Sequence, residues 1–121
     1  MKKALKAGAP FHEWEIRELQ KDQEFAVEYL KVALESLDDP EERGASLLML
    51  RALAEAYGGL GAVAAEAGIS RESLYRALSP KGNPTLKTLV AVLNAVGLRL
   101  SVTQNKPAKG QKDKQGKRRA A

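Results

Sequence analysis

Residues 63–78, VAAEAGISRESLYRAL, carry the pattern that decides the fold. Val63–Ala67 is a short segment made mostly of alanine. Small side chains such as Ala64 let two helices cross closely. Gly68 then breaks the run and supplies the left-handed conformation that a tight turn needs. Ser70 is a good N-cap for a second helix through Leu78, because its hydroxyl accepts from the first unpaired backbone N–H groups. Ile69 and Leu74 fill the space between the two helices, and Leu78 extends that seam. Two helices joined through a Gly-containing turn form a helix-turn-helix unit.

The outward positions of the second helix are Arg71, Glu72, Ser73, Tyr75 and Arg76. Two arginines, a tyrosine and hydroxyls on one exposed helix suit a DNA major groove. Ser70 joins them at the helix start, and Lys81 and Lys87 are candidate phosphate contacts. The candidate DNA-binding set is therefore Ser70, Arg71, Glu72, Ser73, Tyr75, Arg76, Lys81 and Lys87. Asn83 is expected to cap the following helix, with Pro84 at its first position.

Outward from this unit the chain stays helical. Phe25, Ala26, Tyr29, Leu30, Ala33, Leu34 and Leu37 recur at helical spacing, which predicts a helix over Asp22–Leu37 with Asp22 as N-cap. Asp38-Asp39-Pro40 ends it, since the residue before proline avoids the helical region. Pro40 is expected to open a helix to Tyr57, with Leu47, Leu50, Leu53 and Ala54 on its apolar side and Gly58-Gly59 as its stop. A short helix over Gly61–Ala67 follows. Pro84–Val96 reads as a helix closed by Gly97. Leu98–Thr103 alternates apolar and polar residues and is expected to form one short strand. A lone strand has to pair with a second copy or a partner protein, or else pack as an extended segment.

Composition sets the outer limits. The 121 residues fit one domain with tails: an N-terminal arm at 1–21, a helical domain at 22–103 and a disordered basic tail at 104–121. The apolar fraction is 44%, so a core is possible, and aromatics at 5% leave Leu, Val and Ala to fill it. Without cysteine, disulfides and thiolate metal sites are excluded, and a reducing cytoplasm is the natural compartment. No apolar run approaches the roughly 20 residues needed to span a bilayer. His12 is the only histidine, too little for a histidine-based triad or metal site, and no catalytic constellation is visible. The expectation is a protein that is not an enzyme and uses no cofactor and no metal. Trp14, alone among charges, is expected to anchor the arm or to meet a partner.

Charge is unevenly distributed. Phe11–Tyr57 holds twelve acidic and five basic residues, a net of −7. Gly58–Leu100 carries +3 and Ser101–Ala121 carries +6. An acidic half beside a basic half suggests two partners of opposite charge.

The stretch Gly68–Leu100, GISRESLYRALSPKGNPTLKTLVAVLNAVGLRL, closely resembles the addiction-module antidote proteins, the HigA-like antitoxins of the helix-turn-helix class. The residues that carry the resemblance are Gly68, Ser70, Arg71, Leu74, Tyr75, Arg76, Leu78 and Ser79, then Gly82, Asn83, Pro84 and Thr85, then Gly97, Leu98 and Leu100. It extends more weakly upstream through Tyr29-Leu30 and Ala33-Leu34, covering about Glu24 to Val102. LYRALS followed by GNPT is far more specific than a bare helix-turn-helix. The resemblance implies an all-α fold, a small helical bundle with a lambda-repressor-like helix-turn-helix, here with the one short C-terminal strand. It also implies operator DNA binding as a homodimer, repression of the chain's own operon, and neutralisation of a cognate RelE/ParE-like toxin. The acidic region Phe11–Glu42 would face that toxin, since such toxins are commonly basic. In one place the chain departs from the wider repressor-like pattern: Gly61 and Ala62 stand where Thr or Ser followed by Gln is common, and Ala62 cannot donate to a phosphate. A stand-alone helix-turn-helix regulator without a toxin, and an interaction adaptor without DNA binding, remain alternatives.

Overall fold

The computed structural model describes residues 9–105. Among them are six helices: α1 (Ala9–Lys21), α2 (Gln23–Glu35), α3 (Arg43–Ala56), α4 (Leu60–Ala67), α5 (Arg71–Ala77) and α6 (Leu86–Val96). The bundle is built around α3, which packs against α1, α2, α4 and α6. Its Leu47, Leu50 and Leu53 are fully buried, and Ser46, Ala52, Ala54 and Ala56 are buried beside them. Each fully buried leucine contributes about 2 kcal/mol of transfer free energy. Alanines around the rest of α3 let neighbours approach from several sides, so a helix with only three fully buried leucines can stand at the centre.

Gly58 and Gly59, both at positive φ (96° and 91°), turn the chain after α3, and α4 leaves at 104° to it. The N-cap of α4 is Gly59, so the helix starts at Leu60, one residue before the expected Gly61. Gly61 and Ala62 are exposed in its first turn. Helix α6 closes the bundle on α4 and α3, burying Ala91, Val92, Leu93 and Val96. Gly97 ends it in the left-handed conformation, φ 92°.

The expected N-terminal arm contains a helix that is part of the bundle. Leu19 of α1 is fully buried. The Tyr57 hydroxyl donates to the Leu19 carbonyl at 2.5 Å, and Gln20 donates to the Ala56 carbonyl at 3.3 Å. His12 meets Glu55 of α3 at 2.6 Å. The Tyr29 hydroxyl on α2 donates to Glu15 of α1. The single histidine is thus a tether between α1 and α3. Trp14 lies half-exposed on α1.

Other boundaries also differ from expectation. Helix α2 ends at Glu35 with Ser36 as C-cap, before the Asp-Asp-Pro stop. Pro40 lies in a turn, and α3 begins at Arg43. In that turn Asp39 accepts from the Glu41 backbone, which spends the carboxylate locally instead of extending a helix. Helix α6 starts at Leu86 with Thr85 as its N-cap, not at Pro84 with Asn83 as cap. The Thr85 hydroxyl accepts from the Thr88 N–H at 3.2 Å, while the Asn83 side-chain amide oxygen accepts from Arg43 at 3.5 Å.

The strand expected over Leu98–Thr103 does not form, and no strand occurs among the described residues. The Leu98 N–H is taken by the Leu93 carbonyl in the C-cap of α6, and Leu98 is the only one of these residues packed against the core. Leu100 is 51% and Val102 94% exposed. Alternation alone cannot make a strand where no second edge is present. Of the expected basic tail, Gln104 and Asn105 are exposed without regular structure, and the remainder lies outside the described residues. Among the described residues no single helix is long and apolar enough to cross a membrane.

Candidate nucleic-acid interface

Helix α5 is held on the bundle by one side. Leu74 and, at its C-cap, Leu78 are fully buried, and Ile69 packs against the same core. Gly68 adopts the left-handed conformation, φ 74°, and its N–H bonds back to the Ala65 carbonyl. Ser70 is the N-cap of α5: its hydroxyl accepts from the Ser73 N–H at 3.0 Å. The turn, cap and inner seam expected from residues 63–78 are present.

The other side of α5 faces outward. Arg71, Glu72, Tyr75 and Arg76 are exposed, and Ser73 is half-buried. The serine hydroxyls are occupied within the helix: Ser70 and Ser73 lie 3.0 Å apart, and Arg76 donates to Ser73 at 3.5 Å. Glu72 lies in the first turn, where a carboxylate complements the positive end of the helix. Lys81 and Lys87 are exposed at opposite ends of α5. Lys81 follows Ser79 in the turn that leaves it, where the Gly82 N–H donates to the Ser79 carbonyl at 2.7 Å. Lys87 projects from the first turn of α6 to the Gly68 turn, and its Nζ lies 3.1 Å from the position of a β-carbon there. Among the described residues, the three ion pairs are His12–Glu55, Lys21–Glu18 and Lys31–Glu28. Arg71, Arg76, Lys81 and Lys87 are in none of them. This part of the surface thus presents four cations without carboxylate partners among the described residues.

The structure adds a residue that the sequence does not reveal. Arg51 of α3 lays its guanidinium over the Tyr75 ring, 4.0 Å from the centroid, and donates to the Ser79 hydroxyl at 3.2 Å. Ser79 in turn donates to the Tyr75 carbonyl at 2.7 Å. A cation on an aromatic face is attracted by the ring quadrupole, so Arg51 fixes Tyr75 as well as the end of α5. In sequence Arg51 is one basic residue in an acidic half, 24 positions before Tyr75. Nothing in its spacing brings the two together.

Electrostatics on the opposite half are different in kind. Helix α2 exposes Glu24 and Glu28, and its Phe25 and Val32 are 43% and 51% exposed. Phe25 meets Tyr29 edge to face at 5.8 Å. Burial, together with Glu15 accepting its hydrogen bond, pushes the Tyr29 phenol far above the usual tyrosine range. Tyr57 is raised as well, by burial first and then by the charge of Asp22.

Residues 11–104 match the family described as probable addiction module antidote protein. An uncharacterized protein of Haemophilus influenzae is 50% identical over 44 residues, which make up 36% of this chain and 45% of that relative. The chain thus covers less than half of that relative's length. No solved structure matches.

Proposed function

Because this chain belongs to the family of probable addiction module antidote proteins, we propose that it is a DNA-binding antitoxin. In this reading it binds its own operator, represses its operon and neutralises a cognate RelE/ParE-like toxin. It acts by binding and not by catalysis. The single observation that supports DNA binding best is the outward side of α5, where Arg71 and Arg76 stand exposed without carboxylate partners and Lys81 and Lys87 flank the helix. Such an arrangement suits a lambda-repressor-like helix-turn-helix, with α5 in the major groove and the lysines on phosphates. Ala62 offers no side-chain donor at the start of α4, so the lysines and the basic tail carry more of the phosphate contact.

The operator of such a protein is read by two copies. Leu86 is 63% exposed, and Leu100 and Val102 extend the apolar surface beyond α6, which suits burial in a homodimer. The toxin is assigned to the acidic side, Phe11–Glu42.

The test is binding to the DNA immediately upstream of the chain's own gene, across a salt series, with Arg71→Ala and Arg76→Ala alongside. Sequence-specific binding that both substitutions weaken supports the reading. If one of these arginines reads a guanine through both donors, its loss costs about 1–3 kcal/mol and relaxes specificity at that base. Weak and equal binding to any duplex would remove it.

A further inference from the structure

We propose that Arg51, Tyr75 and Lys81 form a binding site for a single backbone phosphate of duplex DNA at the C-terminal end of α5. The proposal rests on the DNA-binding reading above and adds to it a residue from a different helix.

Arg51 is partly buried, sits over the Tyr75 ring, and spends one guanidinium nitrogen on Ser79. Among the described residues no carboxylate pairs with it. Arg51 is instead aligned with the exposed end of α5. Its remaining N–H edge has no hydrogen-bond partner among the described residues, and neither has the Tyr75 hydroxyl.

The turn after α5 completes the group. Ser79, bonded to Arg51, is two residues from Lys81, which is exposed and in no ion pair among the described residues. The end of a helix presents carbonyl oxygens, which repel an anion. Here the Tyr75 carbonyl is occupied by the Ser79 hydroxyl, and the Leu74 and Arg76 carbonyls accept from the Leu78 and Ser79 N–H groups. The Ala77 carbonyl is covered by the backbone of Gly82. The donors left without partners among the described residues are a guanidinium edge, a phenol and an ammonium. That donor set matches the oxygens of a phosphodiester. A base edge is a poorer fit, because the stack on Tyr75 and the bond to Ser79 tie Arg51 to the C-terminal end of α5, while Arg71 stands at its start.

The test uses the full chain and two labelled duplexes of equal length, one from upstream of its own gene and one with that sequence scrambled. Affinities are measured by fluorescence anisotropy over a salt series. Arg51→Met keeps the aliphatic bulk on the ring and removes the charge. It should unfold near the wild-type temperature, bind both duplexes about tenfold more weakly, and show a salt slope shallower by about one. Arg51→Lys should restore the slope. Tyr75→Phe keeps the ring beneath the guanidinium and tests the site independently; it should weaken both duplexes about threefold. Arg71→Ala should act mainly on the upstream duplex. If Arg51→Met binds both duplexes with wild-type affinity and slope, the phosphate site is wrong while the DNA reading stands. An Arg51→Lys chain as defective as Arg51→Met makes Arg51 a structural clamp only and also overturns it. A wild-type chain that binds neither duplex overturns the DNA reading, and the phosphate site with it.

Discussion

A β-carbon placed on Gly82 would lie 2.2 Å from the carbonyl oxygen of Ala77 and 2.4 Å from that of Arg76. The turn after α5 therefore folds back onto the last carbonyls of the helix, and only a residue without a side chain permits that approach. Gly82→Ala forces the turn away from α5. The expected cost is about 1–3 kcal/mol, as for overpacking elsewhere. For a domain of this size that lowers the melting temperature by roughly 4–8 °C per kcal/mol. Thermal unfolding followed by circular dichroism checks it, and an unchanged melting temperature would mean that the turn does not rest on α5.

Thr85 and Asn83 make opposite predictions about where α6 begins. Thr85 caps the helix, and its hydroxyl lies 3.1 Å from that of Thr88, which is only 2% exposed. Thr85→Ala removes the cap and leaves a buried hydroxyl without its partner, a loss of about 1–2 kcal/mol. Asn83 is exposed and accepts one long bond from Arg43. Asn83→Ala should cost under about 0.5 kcal/mol. Urea denaturation of the two variants decides the assignment, and the reverse order of losses would restore Asn83 as the cap.

The same stretch shows what the sequence can and cannot say. GNPT signals a helix start because its residues are cap and turn types, and a helix does start there. The signal cannot say which polar residue caps, because Asn83 and Thr85 are both competent, and the partner that Asn83 takes instead, Arg43, lies 40 positions away. Residues 63–78 are legible because their contacts are local: Gly68, Ser70 and Leu74 act within one turn of the chain. Arg51 on Tyr75 and Leu19 beneath Tyr57 are pairings over 24 and 38 positions, with no pattern to announce them. The arm expected over residues 1–21 hides helix α1 for a related reason. Charges at Glu13, Glu15, Arg17, Glu18 and Lys21 run along it, and the residues that tie it down are polar ones, His12, Glu15 and Gln20. The strand over Leu98–Thr103 is the converse case, a local pattern without a distant edge to complete it.

Tyr29 gives the protein a stability limit in alkali. Its phenol is held above its ordinary value of 10.0 by burial and by the neighbouring Glu15. Tyr57 is raised in the same direction. A group whose folded pKa is raised contributes stability that is fully present below the unfolded value. That stability is lost as pH rises past about 10, because the unfolded chain then releases protons that the folded one retains. Melting temperature measured from pH 7 upward should fall more steeply above about pH 10 in the wild type than in Tyr29→Phe. At pH 7 the substitution should cost only about 1 kcal/mol, the net worth of one hydrogen bond. Parallel curves for the two chains would show that Tyr29 ionises as readily in the folded state as in the unfolded one.

The acidic side can be separated from α5 by charge reversal. Glu24 and Glu28 stand exposed on α2, flanking Phe25, whose ring is 43% exposed and braced against Tyr29. The proposed toxin, if basic, would be drawn to such carboxylates and would then bury the ring between them. Glu24→Lys with Glu28→Lys changes the local charge by four units without touching the core. The complex with the product of the neighbouring gene should form more slowly and about tenfold more weakly at low salt, with the difference shrinking as salt rises. Binding to the upstream duplex should be unchanged, because these residues belong to α2 and not to α5. A complex indifferent to the reversal moves the toxin off this side of the molecule. A wild-type chain that forms no complex with that product at low salt removes the antitoxin reading altogether. Operator binding alone would then describe a stand-alone regulator.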